Sequence, residues 1–156
     1  MIPGYHHPRP TTKDYQDFVF TLVDGLKKLG DDGLSLMIYG SYVRGDYTAG
    51  RSDIDAILIF PDEVVIDKKK LALSARVLTA ALLANKIPFQ VTVTDIATMT
   101  DGRFNSYNST FREYFSEEGQ VLLGPDYRSQ FRFSMPVHPE QSPLVFNLRK
   151  SRQGLF

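Results

Sequence analysis

The chain contains no cysteine, which excludes disulfide bonds, thiolate-bound metals and a cysteine nucleophile. Any metal ion must therefore be bound by oxygen or histidine ligands. The chain also lacks a net charge, because eighteen basic residues balance eighteen acidic residues. This balance gives no reason to expect a nucleic-acid or membrane partner.

Long apolar runs are absent as well. The N-terminal sequence MIPGYHHPRPTT lacks the apolar stretch of about seven or more residues that marks a signal peptide. No other segment reaches the roughly 18 apolar residues of a membrane-spanning helix. These absences favour a cytoplasmic protein. The length of 156 residues is sufficient for one domain with an ordinary core.

Apolar residues follow alternating helical and extended patterns along the first half of the chain. Spacings of three and four from Tyr15 to Leu29 predict an amphipathic helix that ends near Gly30. The short apolar runs LSLMIY and DIDAILIF predict two strands, and the second is closed by Pro61. The alternation in IPFQVTVTD predicts a third strand that is buried on one face.

A second helix is predicted between these strands by DKKKLALSARVLTAALLANK, where the initial Asp can cap the helix. One apolar face of this helix is expected to carry Leu71, Ala75, Leu78 and Leu82. Further along, IATMTDGRFNSYN predicts a polar loop, STFREYFSEEG a helix and QVLLG a short strand.

This order of elements predicts an α/β fold with a small mixed sheet covered by helices. Residues 1–126 are expected to form the domain. Residues 127–156 are expected to form a Pro-containing basic tail that ends in a helix starting at Ser142 and Pro143.

The stretch SDIDAILIF places two carboxylates next to a buried strand. In a strand, residues two apart point the same way, so Asp53 and Asp55 share one face while Ile54 points to the other. Such a pair suits Mg²⁺, a hard cation that proteins bind through one or two carboxylates together with water and substrate phosphates.

The pair Gly40 and Ser41 ends the preceding predicted strand, where a helix can begin. Glycine lets a ligand approach the backbone, and the first amides of a helix favour an anion such as a triphosphate. Arg44 and Arg51 lie near enough in sequence to contact phosphate. Taken singly, a Gly-Ser pair is usually a turn and an Asp-x-Asp is usually solvated. Their occurrence on consecutive strands favours a joint site.

The pattern of Gly40-Ser41, eleven further residues, Asp53-Ile54-Asp55 and an apolar strand resembles the signature of the DNA polymerase beta-like nucleotidyltransferase superfamily. Within it, the sequence is most similar to streptomycin/spectinomycin-type antibiotic adenylyltransferases and to minimal nucleotidyltransferases. FQVTVTD resembles the third active-site strand of the superfamily, and EGQVLLGPD the segment that closes its catalytic domain. The resemblance covers roughly residues 34–126.

The resemblance implies Mg²⁺-dependent transfer of a nucleoside monophosphate from ATP or another NTP to an acceptor hydroxyl, with release of pyrophosphate. It assigns triphosphate binding to Gly40 and Ser41, and two Mg²⁺ ions to Asp53 and Asp55. Ser52 belongs to the same motif and is grouped with the nucleotide-binding residues. The expected acceptor is a small molecule such as an antibiotic. A missing helical domain or a second subunit is expected to complete its site.

Gln90 departs from the superfamily pattern, which usually has a carboxylate at this position of the third strand. An amide has no useful basicity and binds Mg²⁺ weakly, so Gln90 cannot replace that carboxylate. Three explanations are open: another acid such as Asp95 or Asp101 takes over, the protein binds nucleotide without turnover, or Gln90 is a deliberate replacement of Glu or Asp. The second makes the chain a catalytically silent, antitoxin-like interaction protein.

Overall fold

A computed structural model of the protein describes residues 9–61, 67–100 and 114–130. The helices and strands are, in chain order, α1 (Thr12–Lys27), β1 (Ser35–Tyr39), α2 (Ser41–Arg44), β2 (Ile54–Phe60), α3 (Lys68–Asn85), β3 (Phe89–Asp95), α4 (Ile96–Thr100) and β4 (Gln120–Leu123). A π-helical turn at Tyr114–Glu118 precedes β4, and a 3-10 turn at Arg128–Gln130 follows it.

The strands form one mixed sheet in the order β3-β2-β1-β4. Strand β1 pairs antiparallel with both β2 and β4, whereas β2 pairs parallel with β3. The parallel pair needs a crossover, and α3 provides it. The predicted α/β class with a mixed sheet is therefore confirmed.

The two central strands are buried on both faces, which explains their continuous apolar runs. Alternate side chains of β1 and β2, including Leu36, Ile38 and Leu58, pack with α1 in the larger core cluster. The opposite side chains pack with Met99 and Phe115 in a smaller cluster. This second face also carries the side chain of Asp55, as the strand register below shows.

Helix α1 forms as the apolar spacing predicts. Thr11 and Asp14 form a capping box in which each side chain accepts a backbone N–H of the other residue. The buried residues recur at spacings of three and four and are Tyr15, Phe18, Leu22 and Leu26. No helix in the described ranges combines the length and apolarity needed to cross a bilayer.

The predicted apolar face of α3 only partly overlaps the face that the fold buries, since Leu78 packs against the larger core cluster. Ser74 and Ala81 are the buried residues of this helix, whereas Leu71 and Leu82 are each 38% exposed. Small side chains let helices approach closely. Helix α1 likewise has a glycine, Gly25, where it meets α3. A Cβ atom added at Gly25 would lie only 2.7 Å from a methyl group of Val77. Close helix packing, rather than the largest apolar residues, therefore decides which face of α3 is buried.

The loop predicted from Ile96 is wrong for its first five residues, which form α4. The Asp95 carboxylate accepts a 2.6 Å hydrogen bond from the Thr98 amide, so a cap begins a helix where the polar composition predicted a loop. The rest of that loop, the first half of the helix predicted next and the tail helix lie outside the described residues. Strands β1 to β4 lie where the sequence predicts them.

Candidate active site

Asp55 stands in the middle of a row of three side chains across the sheet. It pairs with Tyr39 of β1 in the antiparallel ladder and with Gln90 of β3 in the parallel ladder. Residues directly paired across strands point to the same face, and their Cα atoms lie about 5 Å apart. Tyr39 is buried, whereas Asp55 and Gln90 are half-buried and accessible to a ligand.

Gly40 lies directly against the Asp55 carboxylate. A Cβ atom added at Gly40 would be 2.8 Å from Oδ2 of Asp55. The φ angle of Gly40 is +78°, a backbone conformation that favours glycine over residues with a side chain. Both the space and the dihedral angle therefore require glycine where the end of β1 meets the start of β2. The structure thus places Gly40, the first residue of the Gly-Ser pair, next to Asp55.

Ser41 begins the short helix α2. The Gly40 carbonyl accepts hydrogen bonds from the Val43 and Arg44 amides, at 3.1 and 3.2 Å. The amides of Ser41 and Tyr42 belong to the first turn, where the helix itself offers no acceptor. Donors of this kind suit phosphate oxygens.

Asp53 lies at the end of the loop that joins α2 to β2. Ile54, the first residue of β2, is fully buried, whereas Asp53 and Asp55 on either side of it are half-buried. Asp55 lies within β2 and Asp53 just before it, so the shared face of the two carboxylates stays a prediction. The Ile54 amide donates a 2.9 Å hydrogen bond to the Pro88 carbonyl, which fixes the start of β2 beside β3.

Tyr15 of α1 secures the same loop, and the sequence did not reveal this role. Its hydroxyl donates to the Ser52 carbonyl and accepts from the Gly50 amide at 3.3 Å. Its ring packs against Tyr47, with centroids 5.0 Å apart. Burial raises the pKa of the Tyr15 hydroxyl, the Gly50 hydrogen bond opposes this, and the nearby charge of Asp53 adds to the increase. The sequence held one sign of this role: a buried helix position has Tyr rather than Phe, and a buried hydroxyl needs a hydrogen-bond partner.

The remaining predicted nucleotide-binding side chains have local partners or face solvent. The Arg44 guanidinium donates to Glu118 at 2.8 Å and to Asp46 at 3.3 Å, and the Glu118 hydrogen bond raises the pKa of Arg44. The Ser52 hydroxyl accepts a 2.9 Å hydrogen bond from the Thr48 amide and so stabilises the loop. Arg51 is exposed.

Asp95 cannot serve as the missing third carboxylate. It pairs with Phe60, five residues beyond Asp55 on β2, which places it about 16 Å further along the sheet at the usual strand rise. It is also 1% exposed and caps α4. Asp101, the other acid considered, lies outside the described residues.

The residues at the site fit Mg²⁺ bound together with a substrate. No cluster of three or more His, Asp or Glu side chains suited to a metal occurs in the ranges that the structure describes. Asp53 and Asp55 nevertheless are two half-buried carboxylates on either side of the first residue of β2. Mg²⁺ is commonly bound by one or two carboxylates when substrate phosphates complete its shell.

Three solved structures that match the chain do so at low sequence identity. A candidate nucleotidyltransferase from Sulfolobus solfataricus is 15% identical, with 76% of this chain and 90% of that chain covered and a TM-score of 0.39. A toxin–antitoxin structure with AMP-PNP is 17% identical, with coverage of 88% and 94% and a TM-score of 0.43. A mutant of the toxin–antitoxin pair MntA-HpeT is 14% identical, with the same coverage and a TM-score of 0.45.

No curated protein sequence matches the chain. The model of the nucleotidyltransferase domain family, by contrast, matches residues 21–98, which is half of the chain. The matched range includes β1, α2, β2 and β3, and therefore Gly40, Ser41, Asp53, Asp55 and Gln90. The chain belongs to the nucleotidyltransferase domain family.

Proposed function

We propose that the protein binds an NTP, with ATP preferred, together with Mg²⁺ and transfers its nucleoside monophosphate to an acceptor hydroxyl. One observation supports this most strongly: the Gly40 backbone lies so close to the Asp55 carboxylate that an added Cβ atom would be 2.8 Å from Oδ2. Phosphate held by the first amides of α2 would thus lie next to the carboxylates. This juxtaposition matches the requirements of nucleotidyl transfer.

Each residue of the site has a definite role in this proposal. The amides of Ser41 and Tyr42 bind the triphosphate, and Gly40 leaves room for it beside Asp55. Asp53 and Asp55 hold Mg²⁺, which when bound neutralises charge on the phosphate oxygens. Tyr15 keeps the loop before Asp53 in place through its two backbone hydrogen bonds.

In the proposed reaction, the acceptor oxygen forms a bond to the α-phosphorus. The bond from that phosphorus to the oxygen bridging to the β-phosphate breaks, and pyrophosphate leaves with the electron pair. The acceptor proton passes to solvent, because the side chain beside Asp55 is the amide of Gln90. Positioning by the protein, rather than base catalysis at residue 90, therefore supplies the rate enhancement.

The acceptor in this proposal is a small molecule, with antibiotics among the candidates. The balanced charge of the chain offers no general attraction to nucleic acid. A helical domain or a second subunit would supply the remainder of the acceptor site.

The position of Gln90 favours a second candidate function, nucleotide binding without turnover. Gln90 pairs directly with Asp55, at the place where a carboxylate would assist the acceptor. A protein of this kind would act as an antitoxin-like interaction protein and would co-purify with a partner. It would bind ATP and release no pyrophosphate.

Transfer of label from ATP labelled at the α-phosphate distinguishes these functions. We expect label to enter an acceptor from a mixture of small metabolites and antibiotics, with equimolar release of pyrophosphate. Because Asp53 and Asp55 hold the metal in this proposal, chelation of Mg²⁺ should abolish the transfer. Binding of ATP with neither label transfer nor pyrophosphate release would instead support the silent nucleotide-binding protein.

A further inference from the structure

Asp53 and Asp55 are held in place by different parts of the fold. Asp55 lies within β2, where it pairs with Tyr39 on one side and with Gln90 on the other. Asp53 precedes β2, which begins at Ile54. A metal site needs ligands that are already held in the right geometry. The position of Asp53 must therefore be set by contacts of the loop that leads into the strand.

The peptide group before Asp53 is attached to helix α1. This planar group contains the Ser52 carbonyl and the Asp53 amide. The Tyr15 hydroxyl donates a hydrogen bond to the Ser52 carbonyl, and it accepts one from the Gly50 amide at 3.3 Å. These bonds join residues that are 37 and 35 positions apart in the sequence. One side chain of α1 thus holds two peptide groups of the loop.

The peptide group after Asp53 is held as well. It contains the Asp53 carbonyl and the Ile54 amide, and this amide donates the 2.9 Å hydrogen bond to the Pro88 carbonyl. The Cα atom of Asp53 therefore lies between two planar groups that are each bonded to a distant segment. Because these two planes determine the direction of the Cα–Cβ bond, they restrict where the carboxylate can reach.

We propose that Tyr15 is a positioning residue of the metal site, where its hydroxyl fixes the Asp53 carboxylate through the Ser52–Asp53 peptide group. This inference rests on the proposed function and adds a residue of α1 to the machinery that determines Mg²⁺ affinity. Tyr15 acts on Asp53 rather than on Asp55, because the sheet holds Asp55 on both sides.

The surroundings of Tyr15 suit a fixed anchor. Its side chain is 0% exposed, and its ring packs against those of Tyr42 and Tyr47, with centroids 6.1 and 5.0 Å away. Tyr42 belongs to α2, the helix whose first amides are assigned to phosphate. A Phe at position 15 would keep both ring contacts and remove only the hydroxyl. This substitution therefore separates the hold on Asp53 from the position of α2.

Calorimetric titration of the variant Tyr15→Phe with ATP, in the presence and absence of Mg²⁺, tests the proposal. We expect the ATP affinity measured with Mg²⁺ to fall about tenfold, as when a group that orients a metal ligand is removed. The affinity measured without Mg²⁺ should stay the same, because the ring contacts with α2 remain. A general loss of structure would weaken both affinities, so their ratio reports on the metal site.

Tyr127→Phe is the matched control. Tyr127 is also buried, at 8% exposure, and its hydroxyl donates a 2.8 Å hydrogen bond to the Gly33 carbonyl. Gly33 precedes β1, at the end of the sheet opposite Asp55. Both variants should lower the melting temperature by similar amounts, since each removes a hydrogen bond from a buried tyrosine to a backbone carbonyl. Only Tyr15→Phe should change the ratio of the two ATP affinities.

The variant Asp53→Asn tests whether Tyr15 acts through Asp53. If it does, adding Tyr15→Phe to Asp53→Asn should cause no further loss of Mg²⁺-dependent ATP affinity. Independent effects would instead multiply, because the free energies of uncoupled substitutions add. Three results would overturn the proposal: an unchanged affinity ratio in Tyr15→Phe, an equal fall in Tyr127→Phe, or the full tenfold loss on top of Asp53→Asn.

Amide hydrogen exchange of the Mg²⁺-free chain separates this inference from the proposed function. The Gly50 amide loses its acceptor in Tyr15→Phe and should exchange about fivefold faster, the factor that corresponds to one hydrogen bond. It should exchange at the original rate in Tyr127→Phe. An unaltered chain that binds no ATP would refute the proposed function, even if exchange confirms that Tyr15 holds the loop. Unchanged exchange in Tyr15→Phe would refute the positioning role alone.

Discussion

Replacing Asp55 by Asn is expected to reduce label transfer from ATP about 10³-fold, a loss typical of removing one charged group from a preorganised site. Asn has nearly the same shape as Asp, and position 55 is half-buried, so the fold should survive. The amide, however, carries no charge and is a poor ligand for Mg²⁺. The loss should therefore appear in transfer and not in the melting temperature.

Asp32→Asn is the matched control for this substitution. Asp32 is exposed and lies before β1, near the end of the sheet opposite Asp55. It should retain full transfer activity. A variant Asp55→Asn that transfers label as fast as the unaltered protein would contradict the assignment of Asp55 to the metal.

Replacing Gln90 by Glu is expected to raise the turnover number about 100-fold, the usual contribution of a general base. Gln90 pairs with Asp55 in the parallel ladder, so the new carboxylate would stand beside the reacting groups. A general base acts only in its deprotonated form, so the new Glu must lose its proton before it contributes. The gain should therefore grow as the pH rises and the Glu loses its proton. Initial rates of pyrophosphate release across a pH series measure it.

Two further variants test whether the increase in turnover comes from the new carboxylate at position 90. Gln90→Asn keeps an amide and should give no increase. Asp55→Asn combined with Gln90→Glu should lose the increase, because the metal that positions the substrate beside the base would be held poorly. If Gln90→Glu gives no gain in a protein that transfers label, position 90 is not the place of the missing base. If turnover is absent before the change and appears after it, the chain with Gln90 is the silent nucleotide-binding form.

The strands and the core of the site were predictable from local sequence, since a period of two and short apolar runs determine them. The burial of Ile54 between two half-buried aspartates follows the alternation of a strand. Glycine at position 40 was predictable as a site of close approach, although its proximity to the carboxylate of Asp55 depends on the pairing of β1 with β2.

Features that depend on long-range packing were not predictable. Apolar spacing predicted one face of α3 but could not show that the small residues Ser74 and Ala81 would be the most deeply buried, because their burial depends on which element packs against the helix. The same limit applies to Tyr15, whose helical periodicity predicts burial but cannot show which distant backbone groups its hydroxyl contacts. Asp is a common helix-capping residue, so Asp95 could have indicated the start of α4. The polar residues that follow it favoured a loop instead.

Calorimetric titration of the full chain with ATP, with and without Mg²⁺, tests most directly whether Asp53 and Asp55 form a metal-dependent nucleotide site. It needs no knowledge of the acceptor and applies whether or not Gln90 permits turnover. We expect ATP to bind in the presence of Mg²⁺, and binding to weaken at least about tenfold when Mg²⁺ is omitted or when both aspartates are replaced by Ala. Absence of ATP binding, or equal binding by the double variant, would contradict the assignment of this site.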